Sequence, residues 1–211
     1  MAGAAPPAGW WAGHPPKVGR LGSEASGAPT APTTGGAAGR ARLPGAIECE
    51  TMELAPRADG LVVETQDLDS IAPERTWSAG CVLLARGRKV GDFVELRVPV
   101  PGTGPKRLKV RTAKSFDYGI LRFSVDGRAI GRDLDTYSAD IVPSEFVELG
   151  TIEPRDGRIV LRVEVVGCNP QSRPPNYYFG LDCVQAVDAV PADAAPGAAA
   201  PGAGPDASTQ R

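Results

Sequence analysis

This chain has almost no histidine. The single one, His14, lies in a Pro/Gly/Ala-rich stretch near the start. That removes Ser-His-Asp and Cys-His chemistry from the foldable region, because both need an imidazole beside the nucleophile. Long apolar runs are missing too, since none approaches the roughly 20 residues that span a bilayer. There is no basic surplus. The net charge is −2, whereas nucleic-acid binders carry clustered positive charge. Neither a nucleic acid nor a membrane is the expected partner. The four cysteines, Cys49, Cys81, Cys168 and Cys183, show no C-x-x-C spacing, which argues against zinc. Aromatic residues make up 6% of the chain, few for a protein that grips sugars with ring faces. The opening MAGAAPPAGWWAGHPPKVGR does not read as a signal peptide. It has no basic residue ahead of its apolar part, and Pro and Gly interrupt that part.

What is abundant is glycine (26) and proline (21), and both crowd the ends. GSEASGAPTAPTTGGAAGRAR has too few apolar side chains to offset the entropy of ordering it. Residues 1–43 are therefore expected to be a disordered linker, with Trp10 and Trp11 as its one apolar exception. Residues 190–211 read as a disordered tail on the same grounds. The domain is expected over residues 44–189, long enough for a single core.

Within it the pattern is short strands and turns. FVELRVPV (93–100), RLKVRTA (107–113) and GILRFSVDG (119–127) alternate apolar and polar residues, the signature of half-buried strands. Asp126-Gly127 is a hairpin signal. FVELGTIE (146–153) and RIVLRVEVVG (158–167) follow, joined by the turn PRDGR. IECETMEL (47–54) and LVVETQ (61–66) come before, and NYYFGLDCVQAV (176–187) comes last. No segment has the length and period of a useful helix. The expected fold is all-β, an antiparallel β-sandwich of about nine strands. Asp117, Asp126, Asp133, Asp135 and Asp140 fall close together in sequence. Asp126 belongs to a hairpin turn and Asp133 and Asp135 to a connecting loop, so these acids are read as solvated rather than as a facing catalytic pair.

The order of the pieces carries a resemblance. IECE, GDFVELRVPVPGTGPKRLKVR, VELGTIEPRDGRIVLRVEVVG and FGLDCVQ resemble, in sequence order, carbohydrate-binding modules of families six and thirty-five. The phrases DYGILRFSVDG, LDTYSADIVPS, ELGTIEPRDGRIVLRVEVVGCNP and YYFGLDCVQ resemble the C-terminal sandwich of bacterial proteins related to glycoside hydrolase family one hundred and seventy-two. The resemblance covers residues 47–187. It implies a galactose-binding-like jelly roll, a non-catalytic module, an extracytoplasmic location and an upstream hydrolase from which the module is detached.

It also implies a structural calcium ion, with Glu48 and Glu50 of the first strand and Asp182 of the last as ligands. Calcium takes hard oxygen ligands. Residues two apart share one face of a strand, and three carboxylates without a cation repel one another. Without a cation, Glu48 and Glu50 are solvated edge residues and Asp182 hydrogen-bonds a loop. Cys49 and Cys183 lie beside these acids on the same two strands. They are expected as buried free thiols, although neighbouring strands would also bring them within disulfide reach.

For a polysaccharide or oligosaccharide ligand the candidate contacts are Trp77 and Tyr137, both in polar loop-like stretches, and Asn169, Arg173, Asn176 and Tyr177. The last four lie in GCNPQSRPPNYY, where family-six modules carry a sugar-binding loop. Tyr118 and Tyr178 are read as core residues. The other reading of the same residues is a structural or assembly domain that docks on a protein partner or on a second copy, without sugar.

Overall fold

The computed structural model describes residues 40–189, and every structural statement below concerns those residues. The expected linker up to residue 39, the Trp10–Trp11 pair, His14 and the tail from residue 190 lie outside them.

Twelve strands form, where the sequence pattern led to about nine: β1 (Ile47–Glu48), β2 (Glu53–Arg57), β3 (Val62–Asp67), β4 (Cys81–Arg86), β5 (Phe93–Pro99), β6 (Lys106–Lys114), β7 (Gly119–Val125), β8 (Arg128–Asp135), β9 (Val142–Pro143), β10 (Val147–Ile152), β11 (Arg158–Cys168) and β12 (Phe179–Asp188). One sheet has the order β10-β6-β12-β4-β3, with β1 added to β12 and β9 to β6. The other has the order β2-β5-β11-β7-β8. All strand pairings are antiparallel. The expected sandwich is therefore the fold. No helix among the described residues is long and apolar enough to cross a membrane.

The alternating strands do what alternation requires. Val94, Leu96 and Val98 of β5 point inward, as do Leu121 and Phe123 of β7 and Ile159, Leu161, Val163 and Val165 of β11. They meet Leu108 and Val110 of β6 and Phe179, Leu181 and Val184 of β12 in one core. The β7–β8 hairpin turns at Asp126 and Gly127, with φ of 48° and 81°. Both are left-handed, the conformation that makes Asp-Gly a hairpin signal.

Two expectations need correction, and one strand escaped the pattern read from the sequence. The run 47–54 is not one strand. It breaks after Glu48 into a 3-10 turn, Cys49–Thr51, before β2 begins. Residues 128–135 are a strand, so Asp133 and Asp135 are not loop residues. Asp133 pairs with Arg122 across the hairpin at 2.7 Å. CVLLAR (81–86) is also a strand, although it does not alternate. The reason is burial on both faces: Leu83 and Ala85 enter the main core, while Val82 and Leu84 enter a second one. A strand buried on both sides reads as a continuous apolar run.

That second core covers the outer face of the β12 sheet. The loop between β3 and β4 folds over it, and Leu68, Ala72 and Trp77 pack on Val82, Leu84, Ala113 and Tyr118. This loop decides what sits above the middle of β12.

Candidate functional site

β12 carries a bulge at its centre. Leu181 pairs with Thr112 of β6, and Cys183 pairs with the very next residue back along β6, Arg111. Asp182 is the extra residue, and such a bulge re-aims side chains. The phase of β12 shifts there. Leu181 faces the core before it, and Val184 and Ala186 face the core after it. On the other edge of β12, β4 pairs as far as Leu181 and β1 begins at Cys183. Asp182 thus sits at the gap between two neighbouring strands, under the loop that carries Trp77.

Asp182 is fully buried. Its Oδ2 accepts a bond from Arg111 Nη1 at 2.6 Å, and its Oδ1 accepts one from the Ser78 backbone N–H at 3.1 Å. Burial pushes its carboxyl up to about 6, against the pull of the Arg111 guanidinium. Arg111 is held at three points, because it also donates to the carbonyls of Thr76 (2.9 Å) and Ser144 (3.1 Å).

The first-strand acids lie close by. Glu48 is 2% exposed. Its Oε1 accepts from Ser78 Oγ at 2.8 Å and lies 3.9 Å from Arg42 Nε. Its Oε2 and both carboxylate oxygens of Glu50 are buried without a hydrogen-bond partner. Burial pushes the Glu50 carboxyl up to about 7, with the charges of Glu48 and Asp182 adding to the rise. These two acids are therefore not solvated edge residues. Nor do they share a strand face, because Glu50 lies in the 3-10 turn. The chain brings Glu48, Glu50 and Asp182 into one electrostatic cluster, but Asp182 is turned to Arg111. Among the described residues no three His, Cys, Asp or Glu side chains form a ready ligand set. Three orphaned carboxylate oxygens on Glu48 and Glu50 nevertheless leave a buried negative charge unanswered, and such a site takes up a proton or a cation.

The four cysteines are free thiols. Cys49 and Cys183 are fully buried, and burial pushes the Cys183 thiol up to about 12. High thiol pKa values at buried sites mean low reactivity.

The second place of interest is one end of the sandwich. There the segments 115–118, 135–141 and 169–178 lock together. Ser115 N–H donates to the Thr136 carbonyl at 3.1 Å, Arg173 N–H to the Phe116 carbonyl at 2.8 Å, and Ser172 Oγ to the Tyr118 carbonyl at 2.9 Å. Tyr137 is half-buried here, with its N–H on Asp135 Oδ1 at 2.9 Å. Arg173 is exposed and its guanidinium lies over the Phe116 ring, 5.6 Å from the centroid. Asn176 holds a left-handed φ of 52° and reaches Cys168 Sγ at 3.4 Å. Tyr177 packs partly on the main core.

Two of the sugar-contact candidates lie otherwise. Trp77 is 3% exposed, and its Nε1 donates to the Ala72 carbonyl at 3.3 Å. Its ring belongs to the second core and has no free face. Asn169 is held internally, with Nδ2 on Asp135 at 2.5 Å and Oδ1 on the Gln171 N–H at 2.9 Å. Sequence reasoning missed Ser78, Arg111 and Asp135. Arg111 looked like one more outward basic residue of RLKVRTA, and Ser78 carried no signal at all.

No protein-family model matches the chain, and a search of curated proteins finds no match. Solved structures do match. A xanthan lyase from Paenibacillus aligns with a TM-score of 0.58 at 24% identity, over 72% of this chain and 14% of that one. A family 35 carbohydrate-binding module from Clostridium thermocellum aligns at 14% identity over 66% of this chain and 93% of its own, TM-score 0.41. A family 36 carbohydrate-binding domain of a xylanase from the hindgut metagenome of Trinervitermes trinervoides gives 13%, 69% and 97%, TM-score 0.42. In fold, this chain resembles a segment of the xanthan lyase. Identities of this size speak for the fold alone. The chain spans about a seventh of the lyase's length.

Proposed function

We propose that this chain is a non-catalytic carbohydrate-binding module whose ligand sits at the loop-built end of the sandwich. The observation that carries the reading is the interlocking of three separate segments there. Their backbone bonds pre-set a surface that offers Tyr137, Arg173, Asn176 and Tyr177. Pre-organised loops bind with less ordering entropy, and sugar sites combine a ring face with a few fixed polar groups. Trp77 and Asn169 act behind this surface, one as core and one as a loop staple. An upstream hydrolase partner belongs to the same proposal, and the genomic stretch ahead of Met1 tests it.

The same reading includes a structural calcium ion at the β1–β12 edge, held by Glu48 and Glu50. The orphaned buried oxygens of these two residues support it. Bound there, the ion would supply the positive charge that the cluster lacks. Asp182 contributes negative field, while Arg111 and Ser78 hold the carboxylates in place.

The test is binding of residues 40–189 to a panel of plant, algal and bacterial polysaccharides, with calcium and again with chelator. Glycan binding weakened by Tyr137→Ala is the expected outcome. No binding in either buffer refutes the module and turns the search to a protein partner or self-association.

A further inference from the structure

Composition places residues 40–43 in the linker, yet residues 40–46 form a strap across the carboxylate cluster. Arg40 Nη2 meets Asp67 Oδ2 at 2.9 Å and its Nε lies 3.6 Å from Asp69. Its stem packs on Gly80, where an added Cβ would stand 2.9 Å from Arg40 Cδ. The Ala79 N–H donates to the Ala41 carbonyl at 2.9 Å, and Gln185 Nε2 donates to the Pro44 carbonyl at 2.7 Å. Ala79 itself holds a left-handed φ of 50°, an unfavourable state for alanine that surrounding contacts must enforce.

One atom joins this strap to the acids. Ser78 Oγ accepts the Leu43 N–H at 3.1 Å and donates to Glu48 Oε1 at 2.8 Å. The hydroxyl has one hydrogen. While that hydrogen points at Glu48, the lone pairs face Leu43. If Glu48 swings away from Glu50 toward water, the hydroxyl is free to turn and the strap loses its tie. A cation between the acids removes the repulsion that drives Glu48 out. Arg42 is more than half exposed at 3.9 Å from Glu48, too loosely placed to do the same.

We propose that cation binding at Glu48 and Glu50 closes the strap of residues 40–46 through the Ser78 hydroxyl, so that this segment is held when the cation is bound and released when it is not. This rests on the calcium reading above. Linkage then requires the converse: a strap opened by mutation weakens calcium binding by the same factor.

The experiment uses the full chain with calcium chloride or chelator. Calorimetry and thermal unfolding report calcium binding. Hydrogen exchange at the Leu43 and Ala79 amides reports the strap. The expected result is about tenfold slower exchange with calcium, lost in Ser78→Ala. Asp67→Asn, which removes the charge that Arg40 meets at 2.9 Å and leaves Glu48 and Glu50 untouched, weakens the strap's anchor and should lower calcium affinity. Should Ser78→Ala fail to fold, Asp67→Asn carries the test alone. Calcium that raises the unfolding temperature but leaves both amides unchanged overturns the strap and spares the calcium reading. An unchanged calcium affinity in Asp67→Asn overturns it equally. No calcium heat and no thermal shift overturn both.

Discussion

Replacing Arg111 by methionine should be among the most damaging single changes in this domain. The side chains of Arg111 and Asp182 are 11% and 0% exposed. Methionine fills much of the arginine stem's volume, so packing is largely kept and the charge is what goes. Breaking a buried ion pair from one side costs about 3–5 kcal/mol, because the remaining charge is left without a partner. The bonds to the Thr76 and Ser144 carbonyls go as well, and water can replace the more exposed of them. For a domain of this size 1 kcal/mol moves the midpoint by about 2–4 °C, so the expected fall is about 6–20 °C. Thermal unfolding followed by circular dichroism measures it. The loss should be larger at pH 8 than at pH 5, since Asp182 without its guanidinium escapes the penalty by taking a proton. Adding Asp182→Asn to Arg111→Met should recover part of the loss, because the orphaned charge is then gone. A fall below about 2 °C, or a double variant no better than the single one, would refute the view that Arg111 neutralises Asp182.

Three further outcomes are expected. In chelator, the Glu50 carboxyl, raised from 4.5 to about 7, favours the folded state while it is protonated. That contribution is fully present below about pH 4.5 and lost as pH rises through about 7. Urea unfolding at a series of pH values checks this, and Glu50→Gln should flatten the curve. Trp77→Ala should cost about 3–5 kcal/mol by emptying the second core, whereas Trp77→Phe should leave glycan affinity unchanged; a selective loss of affinity in the phenylalanine variant would show that the ring touches ligand after all. Gly87→Ala would place a Cβ 2.1 Å from the Tyr177 carbonyl oxygen, backbone that must move. About 1–3 kcal/mol of stability should go, and glycan titration should show weaker binding because the 169–178 loop is displaced.

Much of the sandwich was legible because half-buried strands advertise themselves. The apolar positions of β5, β6, β7 and β11 recur every second residue, and Asp126-Gly127 and PRDGR mark turns between them. β4 hid because both its faces are covered. β8 hid because its charged residues face outward beside a bulge. At the carboxylate cluster, a resemblance named three acids that the fold does bring near one another, yet the local geometry assumed for them was wrong. A regular strand would have set Glu48 and Glu50 on one face and turned Cys183 away from Asp182. A 3-10 turn and a bulge rearranged both.

The sequence by itself determined the class of fold and the presence of an acid inside the last apolar run. Only the tertiary structure decided what answers that acid. Periodicity records which face of its own strand a residue occupies. It does not record which residue of a distant strand lies opposite, nor which loop closes overhead. Arg111, Ser78 and the strap of residues 40–46 come from three separate stretches of chain, and strand register together with the packing of Trp77 brings them to Asp182 and Glu48.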